Sequence, residues 1–219
     1  DYHAKVIFVN ASALNSNLVL LNSTSPRFPN GLGNDNGLLG KYVGFHIYRG
    51  GVGAAMPGFA DKYYYGRNPT EAILANYRNL HEQDTDYFGG FTTFMGGYRP
   101  RNSEVPDHVA LGADYKKFLS EPADWRVYAY MQGESMPNEN NQVRLSTDQK
   151  DQWGIPQLVT DVGYDDNAEK MVRDFLTQTA EMLEKAGCKD IETYDNHQAP
   201  GLDIHEMGGV RMGHDPKTS

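Results

Sequence analysis

The residues best suited to chemistry lie together in the run His205-Glu206-Met207-Gly208-Gly209-Val210-Arg211-Met212-Gly213-His214-Asp215-Pro216. An imidazole titrates near neutral pH and can take a proton from a hydroxyl group. Gly208 and Gly209, close behind the histidine, carry no Cβ, so they leave room above the ring and let a flat cofactor approach the backbone. A lone histidine in such a stretch is more often a solvated side chain on a surface loop, and that reading stands beside the chemical one. Zinc is excluded on spacing. His205-Glu206 opens like an H-E-x-x-H helix, but Gly209 holds the place of the second ligand, and paired glycines weaken the helix that would align two imidazoles. No metal site is expected.

Composition narrows the partners. The 219 residues carry a net charge of −9 without a basic run, which argues against a nucleic-acid surface, since phosphate binding depends on clustered cations. Mean hydropathy is −0.64, and no apolar run is long enough to span a bilayer. The single cysteine, Cys188, rules out an intrachain disulfide and reads as a structural thiol just after a helix. The chain starts without an initiator methionine and stops at Ser219, in the middle of the pattern that begins at His205, so it reads as a piece of a longer protein.

Several elements must position these residues. Val6-Ile7-Phe8-Val9 reads as a buried strand, followed by a small-residue turn and a helix over Ala11 to Ser23. In such a βα unit the turn lies at the carboxyl end of a strand, where small residues let backbone amides approach a dinucleotide. Acidic residues are sparse there, with only Asp1 and Asp35 among the first sixty positions, and a surface of that kind expects a neighbour. Asn68-Pro69-Thr70-Glu71 predicts a capped helix with Ile73, Leu74, Tyr77 and Leu80 on its packing face. Tyr63-Tyr64-Tyr65 and Phe88-Gly89-Gly90-Phe91 could form a sugar-stacking wall, although core packing is the preferred reading of such aromatics.

From Trp125 the pattern alternates, with Val127, Ala129 and Met131 on one face. Turns at 138–141 and 149–154 then predict three consecutive strands in an antiparallel meander. The next helix starts at a capping box, Asp166-x-x-Glu169, carries Met171, Val172, Phe175, Leu176, Met182 and Leu183 along one stripe, and ends at Gly187. Sheet followed by amphipathic helix gives an α+β layer whose second sheet face is free to roof a site.

The run from His205, the small-residue turn with Leu14-Asn15-Ser16, the stretch from Glu134 to Val143, and Lys150-Asp151-Gln152-Trp153-Gly154 together resemble the glucose-methanol-choline (GMC) oxidoreductase family. They are most similar to its branch of pyranose oxidases and glucoside 3-dehydrogenases. Asn17, Thr24, Gly209 and Val210 depart from the family pattern. The resemblance implies an FAD-dependent enzyme that oxidises a sugar or other alcohol, with His205 as the base and Ala11, Ser12, Asn15, Gly208 and Gly209 on the cofactor. It also implies an antiparallel substrate domain at 42–196, flanked at 1–41 and 197–219 by pieces of an incomplete FAD-binding α/β domain. A cytochrome or small accessory subunit as electron acceptor and a periplasmic location come from the resemblance alone. No G-x-G-x-x-G follows a strand, so the isolated chain is expected to be inactive and to hold no stoichiometric FAD. The alternative is a flavin-free carbohydrate-binding module on the same fold.

Overall fold

A computed structural model describes residues 2–62, 71–107, 111–202 and 204–215. They form two compact units whose segments interleave along the chain, one from 1–46, 135–165 and 199–219, the other from 47–134 and 166–198. The class is α+β, with antiparallel sheets and few helices.

In the first unit, helix α1 (Ser12–Asn22) packs on a two-stranded hairpin that follows later in the chain. The core joins Val43, Phe45 and Val143 to Leu14, Leu158 and Val162. The hairpin turn is set by Asp151, whose carboxylate accepts the amides of Trp153 and Ile155 at 2.9 Å each, and by Gly154 at φ +82°. The expected strand at Val6 to Val9 is not formed. Phe8 is 81% exposed, and among the described residues no strand pairs with this segment.

The second unit is built on β1 (Gly50–Met56), β2 (Ala72–Leu74), β3 (Phe91–Tyr98), β4 (Trp125–Gly133) and β7 (Lys189–Asp195). They lie in the order β2-β3-β4-β1-β7, every pair antiparallel. Helix α3 (Asp166–Lys185) covers one face, burying Met171, Val172 and Phe175 against a sheet core that includes Val52, Phe91, Ala129 and Met131. Phe91 and Phe175 meet edge to face with ring centres 5.5 Å apart, so Phe91 is core, as its preferred reading had it. Burying each such ring contributes about 2–3 kcal/mol. Thr179, absent from the predicted stripe, is buried on the same face. A second helix, α2 (Gly112–Ser120), has no buried residue.

The end of α3 follows from one glycine. Gly187 sits at φ +91°, its amide bonding the Glu184 carbonyl, while the Cys188 amide reaches back to Leu183. This double closure satisfies carbonyls that the helix would leave bare, and it turns Cys188 inward, where burial pushes its thiol pKa up.

Three local expectations are corrected. Residues 71–80 contain no helix; Asn68 to Thr70 lie outside the described residues, and Ile73, the centre of β2, pairs with Phe94 in the sheet, where a β-branched residue fits well. The meander is not continuous. Strand β4 pairs with β3 and β1, whereas β5 (Gln142–Lys150) and β6 (Pro156–Asp161) make a hairpin of their own. The capping box is not made either: Asp166 already lies in the helix and pairs with Lys170 at 3.2 Å, while Glu169 bonds Arg49 at 2.5 Å.

Candidate functional site

The segment carrying His205 is laced to residues 40–44 by backbone bonds. Met207 and Gly44 exchange both of theirs, at 2.9 and 3.0 Å, Gly209 donates to Lys41 at 3.1 Å, and Gly40 donates to Gly209 at 2.8 Å. This pairing explains the glycines. A Cβ on Gly208, at φ +83°, would overlap the Tyr42 carbonyl oxygen, and one on Gly209 would overlap the Asn17 amide. Both positions are therefore filled by the protein's own atoms.

His205 stands out within this frame. Its side chain is exposed, yet its backbone is held at φ +64°, a conformation that costs a residue with a Cβ about 1 kcal/mol or more. The ring meets that of His46 edge-on, with centroids 5.0 Å apart and planes at 76°. His46 is anchored through its carbonyl, which accepts the Tyr164 hydroxyl at 3.3 Å. Arg211 lies over the Tyr42 ring at 4.3 Å. Beside it, a hydrogen bond from Lys41 holds the Glu139 carboxyl below its usual pKa range. His205, His46 and these charges share the first unit.

Of the residues assigned to a cofactor, Ser12 and Gly208 line one open cleft of about 450 Å³ together with Val9, Asn10, Ala13 and Ser16. Ala11, at the start of α1, makes no side-chain cap, and Ser12 sits at φ +62°. Small residues beside an uncapped helix start fit one wall of a dinucleotide site, since first-turn amides favour anions. Asn15 is exposed on α1 and outside the cleft, and Gly209 is buried behind Asn17. A dinucleotide cofactor in this cleft would meet Ser12, Ser16 and the Gly208 backbone, while Ala11 does not line it.

The remaining histidines are placed differently. His197 is exposed in the second unit, its Nδ1 3.4 Å from Arg49 and also 3.4 Å from Asp195, and it flanks a buried ion pair. His214 is exposed. Among the described residues, no group of three or more His, Cys, Asp or Glu side chains could hold a metal ion, and no helix is long and apolar enough to cross a membrane.

Aromatic residues gather where sequence reading did not look. Tyr63 to Tyr65 lie outside the described residues, and Phe88 is exposed. On the sheet face opposite α3, Phe94 and Tyr130 stack at 5.3 Å with planes 8° apart, and Tyr128 stacks on Tyr130 at 6.4 Å. The Tyr130 hydroxyl donates to Glu71 at 2.7 Å, and burial, then this bond, raises its pKa well above the usual range. The signal was available: Tyr128 and Tyr130 alternate with Val127, Ala129 and Met131, the inward positions already recognised.

Comparison with known proteins completes the picture. Residues 137–219 match the sequence model of the family described as GMC oxidoreductase. The whole chain is 29% identical to 2-methyl-1,2-propanediol dehydrogenase of Mycolicibacterium austroafricanum, covering 100% of this chain and 40% of that protein. It is 29% identical to 6'''-hydroxyparomomycin C oxidase of Streptomyces lividus, over 99% of this chain and 36% of the relative. It is 28% identical to the fructose dehydrogenase large subunit of Gluconobacter japonicus, over 99% and 39%. The chain spans about two fifths of the length of these relatives. The last part of the chain, residues 137–219, is therefore similar to the GMC oxidoreductases, and relatives match along almost all of the chain.

Proposed function

We propose that this chain supplies the proton acceptor, and one wall of the cofactor site, of an FAD-dependent enzyme that oxidises a small alcohol or sugar. The observation that carries the reading is His205, an exposed imidazole on a strained backbone, followed at Met207 and Gly209 by ladder bonds and met by the edge of His46. Strain of this kind persists where the surroundings over-determine a conformation, and such places are often functional. The relatives are named as dehydrogenases or oxidases of a diol, a paromomycin derivative and fructose, which agrees with alcohol chemistry.

His205 takes the hydroxyl proton on a ring nitrogen, and His46 restricts the rotation of that ring, so the nitrogen meets the hydroxyl in one orientation. Hydride acceptance is the chemistry that FAD supplies when bound. The amide of Ser12 and the hydroxyl of Ser16 bind and orient anionic and polar groups of the cofactor.

The test is His205→Ala in the full, flavin-loaded protein. Turnover should fall by about two to four orders of magnitude while flavin content and melting temperature persist, the range expected for loss of a general base. His197→Ala and His214→Ala should retain most of the turnover. Near-normal activity of the His205 variant at neutral pH would end the assignment. The second reading, a flavin-free carbohydrate-binding module, draws on the tyrosines of the open sheet face. It predicts a colourless full protein that binds sugars, whereas flavin absorbance rejects it.

A further inference from the structure

Two Asn-Gly steps occur in the sequence, Asn30-Gly31 and Asn36-Gly37, both in the loop that leads to Gly40. Such a step carries its own chemistry. The backbone nitrogen of the glycine can attack the side-chain carbonyl carbon of the asparagine, and a residue without a Cβ hinders that approach least. Folding decides whether the attack succeeds, through the freedom of the glycine N–H, the placing of the asparagine amide, and what holds the nitrogen that must leave.

The first step is closed by the fold. The Gly31 amide donates to the Phe28 carbonyl at 3.4 Å, and the residue is buried, with atoms of Leu39, Leu20 and Leu21 3.0–3.1 Å from the position a Cβ would take.

The second step is open on all three counts. Gly37 is exposed at φ +74°, nothing lies within 4 Å of its Cβ position, and its N–H donates to no group among the described residues. Asn36 Oδ1 accepts the Leu38 amide at 3.1 Å, a turn that folds the side chain back along its own backbone past the Gly37 nitrogen. The same N–H stands at the oxygen on which negative charge develops during attack. Asn36 Nδ2, the leaving nitrogen, is buried without a hydrogen-bond partner, so no bond holds it in place. An open cleft of about 160 Å³, lined by Asn36 together with Gly33, Gly209 and Arg211, gives departing ammonia a way out.

We propose that Asn36 is a self-modification site, converted without any enzyme into a carboxylate. Hydroxide takes the Gly37 amide proton, and the bond from that nitrogen to Asn36 Cγ forms. The Cγ–Nδ2 bond then breaks, and the nitrogen leaves as ammonia with a proton from water. Water opens the cyclic imide at either carbonyl, giving aspartate or isoaspartate. Water is consumed and ammonia released, with no oxidant or reductant. The product sets a carboxylate in a cleft that Arg211 also lines. Isoaspartate in addition lengthens the backbone of a loop tied to the His205 segment, since Gly40 donates to Gly209 at 2.8 Å.

The test is incubation of the full protein at mildly alkaline pH, followed by tryptic mass spectrometry of residues 28–41, which hold both steps. Asn36 should show the mass change from amide to acid about tenfold faster than Asn30, the factor expected when one of two like sites must first break a hydrogen bond. In urea, where folding no longer separates them, the two should react at similar rates. As conversion proceeds, the Gly40 amide should exchange about tenfold faster. Asn36→Gln, whose longer side chain closes the imide far less readily, should abolish the change at 36 and keep Gly40 protected. Equal rates at the two steps in the folded protein, or an Asn36 that stays intact there while reacting in urea, overturns the proposal. Unchanged exchange at Gly40 in converted protein overturns the coupling to the His205 segment.

Discussion

Gly208→Ala probes how firmly the His205 segment is held. Alanine at φ +83° carries about 1 kcal/mol of strain, and its methyl would overlap the Tyr42 carbonyl oxygen, a backbone atom with no side-chain freedom to swing aside. Relief comes by lifting the segment from residues 40–44, which ends the four backbone bonds between Gly40, Lys41 and Gly44 on one side and Met207 and Gly209 on the other. At about 1 kcal/mol each, these bonds represent roughly 4 kcal/mol of local stability. Native-state hydrogen exchange reads this directly, because about 1.4 kcal/mol corresponds to a tenfold change. Amides of Gly40, Gly44, Met207 and Gly209 should exchange roughly a thousandfold faster, while that of Phe175 in α3 should be unchanged. Gly209→Ala, at φ +72°, meets first the Asn17 side chain, which can shift, and should lose about tenfold. Protection at Met207 within threefold of wild type in Gly208→Ala would refute the reasoning.

Two further variants address buried polar groups. Arg49, 7% exposed, bonds both Asp195 and Glu169, and its hydrogen bond holds the Asp195 carboxyl below the ordinary range. A depressed carboxylate pKa stabilises the fold above its unfolded value, near 4, and that contribution is lost as pH falls through the lowered folded value. In urea unfolding at pH 7, Asp195→Asn should cost about 3 kcal/mol, a gap that narrows on acidification below about pH 4; a gap independent of pH would refute the ion-pair account. Asn17 is fully buried with its Oδ1 unpartnered, so Asn17→Leu should raise stability by about 1 kcal/mol in thermal melts, and a loss would mean that the amide is satisfied.

Helix α3 was legible because its apolar residues recur at helical spacing over twenty residues and a glycine with positive φ ends it. Helix α1 and the turn at Asp151 were legible for similarly local reasons. Pairing was not local. Strand β4 joins β1, more than sixty positions earlier, and nothing in the alternation of either strand names its neighbour. Apolar spacing at Ile73, Tyr77 and Leu80 fits a helix as well as it fits a short edge strand and the loop that follows. At the candidate site, His205 was found from its neighbours in sequence, but His46 was not, since the contact spans the chain. Gly208 and Gly209 announced missing Cβ atoms without revealing that Tyr42 and Asn17 fill the space.

The interleaving of the two units bears on how the protein is made. Its first 46 residues belong with residues beyond 198, so the ladder between Gly40–Gly44 and Met207–Gly209 cannot close until roughly 160 further residues have been translated. At about 5–20 residues per second, the opening segment waits on the order of ten to thirty seconds. During that interval the inner side of α1 waits for the β5–β6 hairpin on which it packs, which is complete only at Asp161. Slowing translation would lengthen the interval in which α1 is exposed to holdase chaperones.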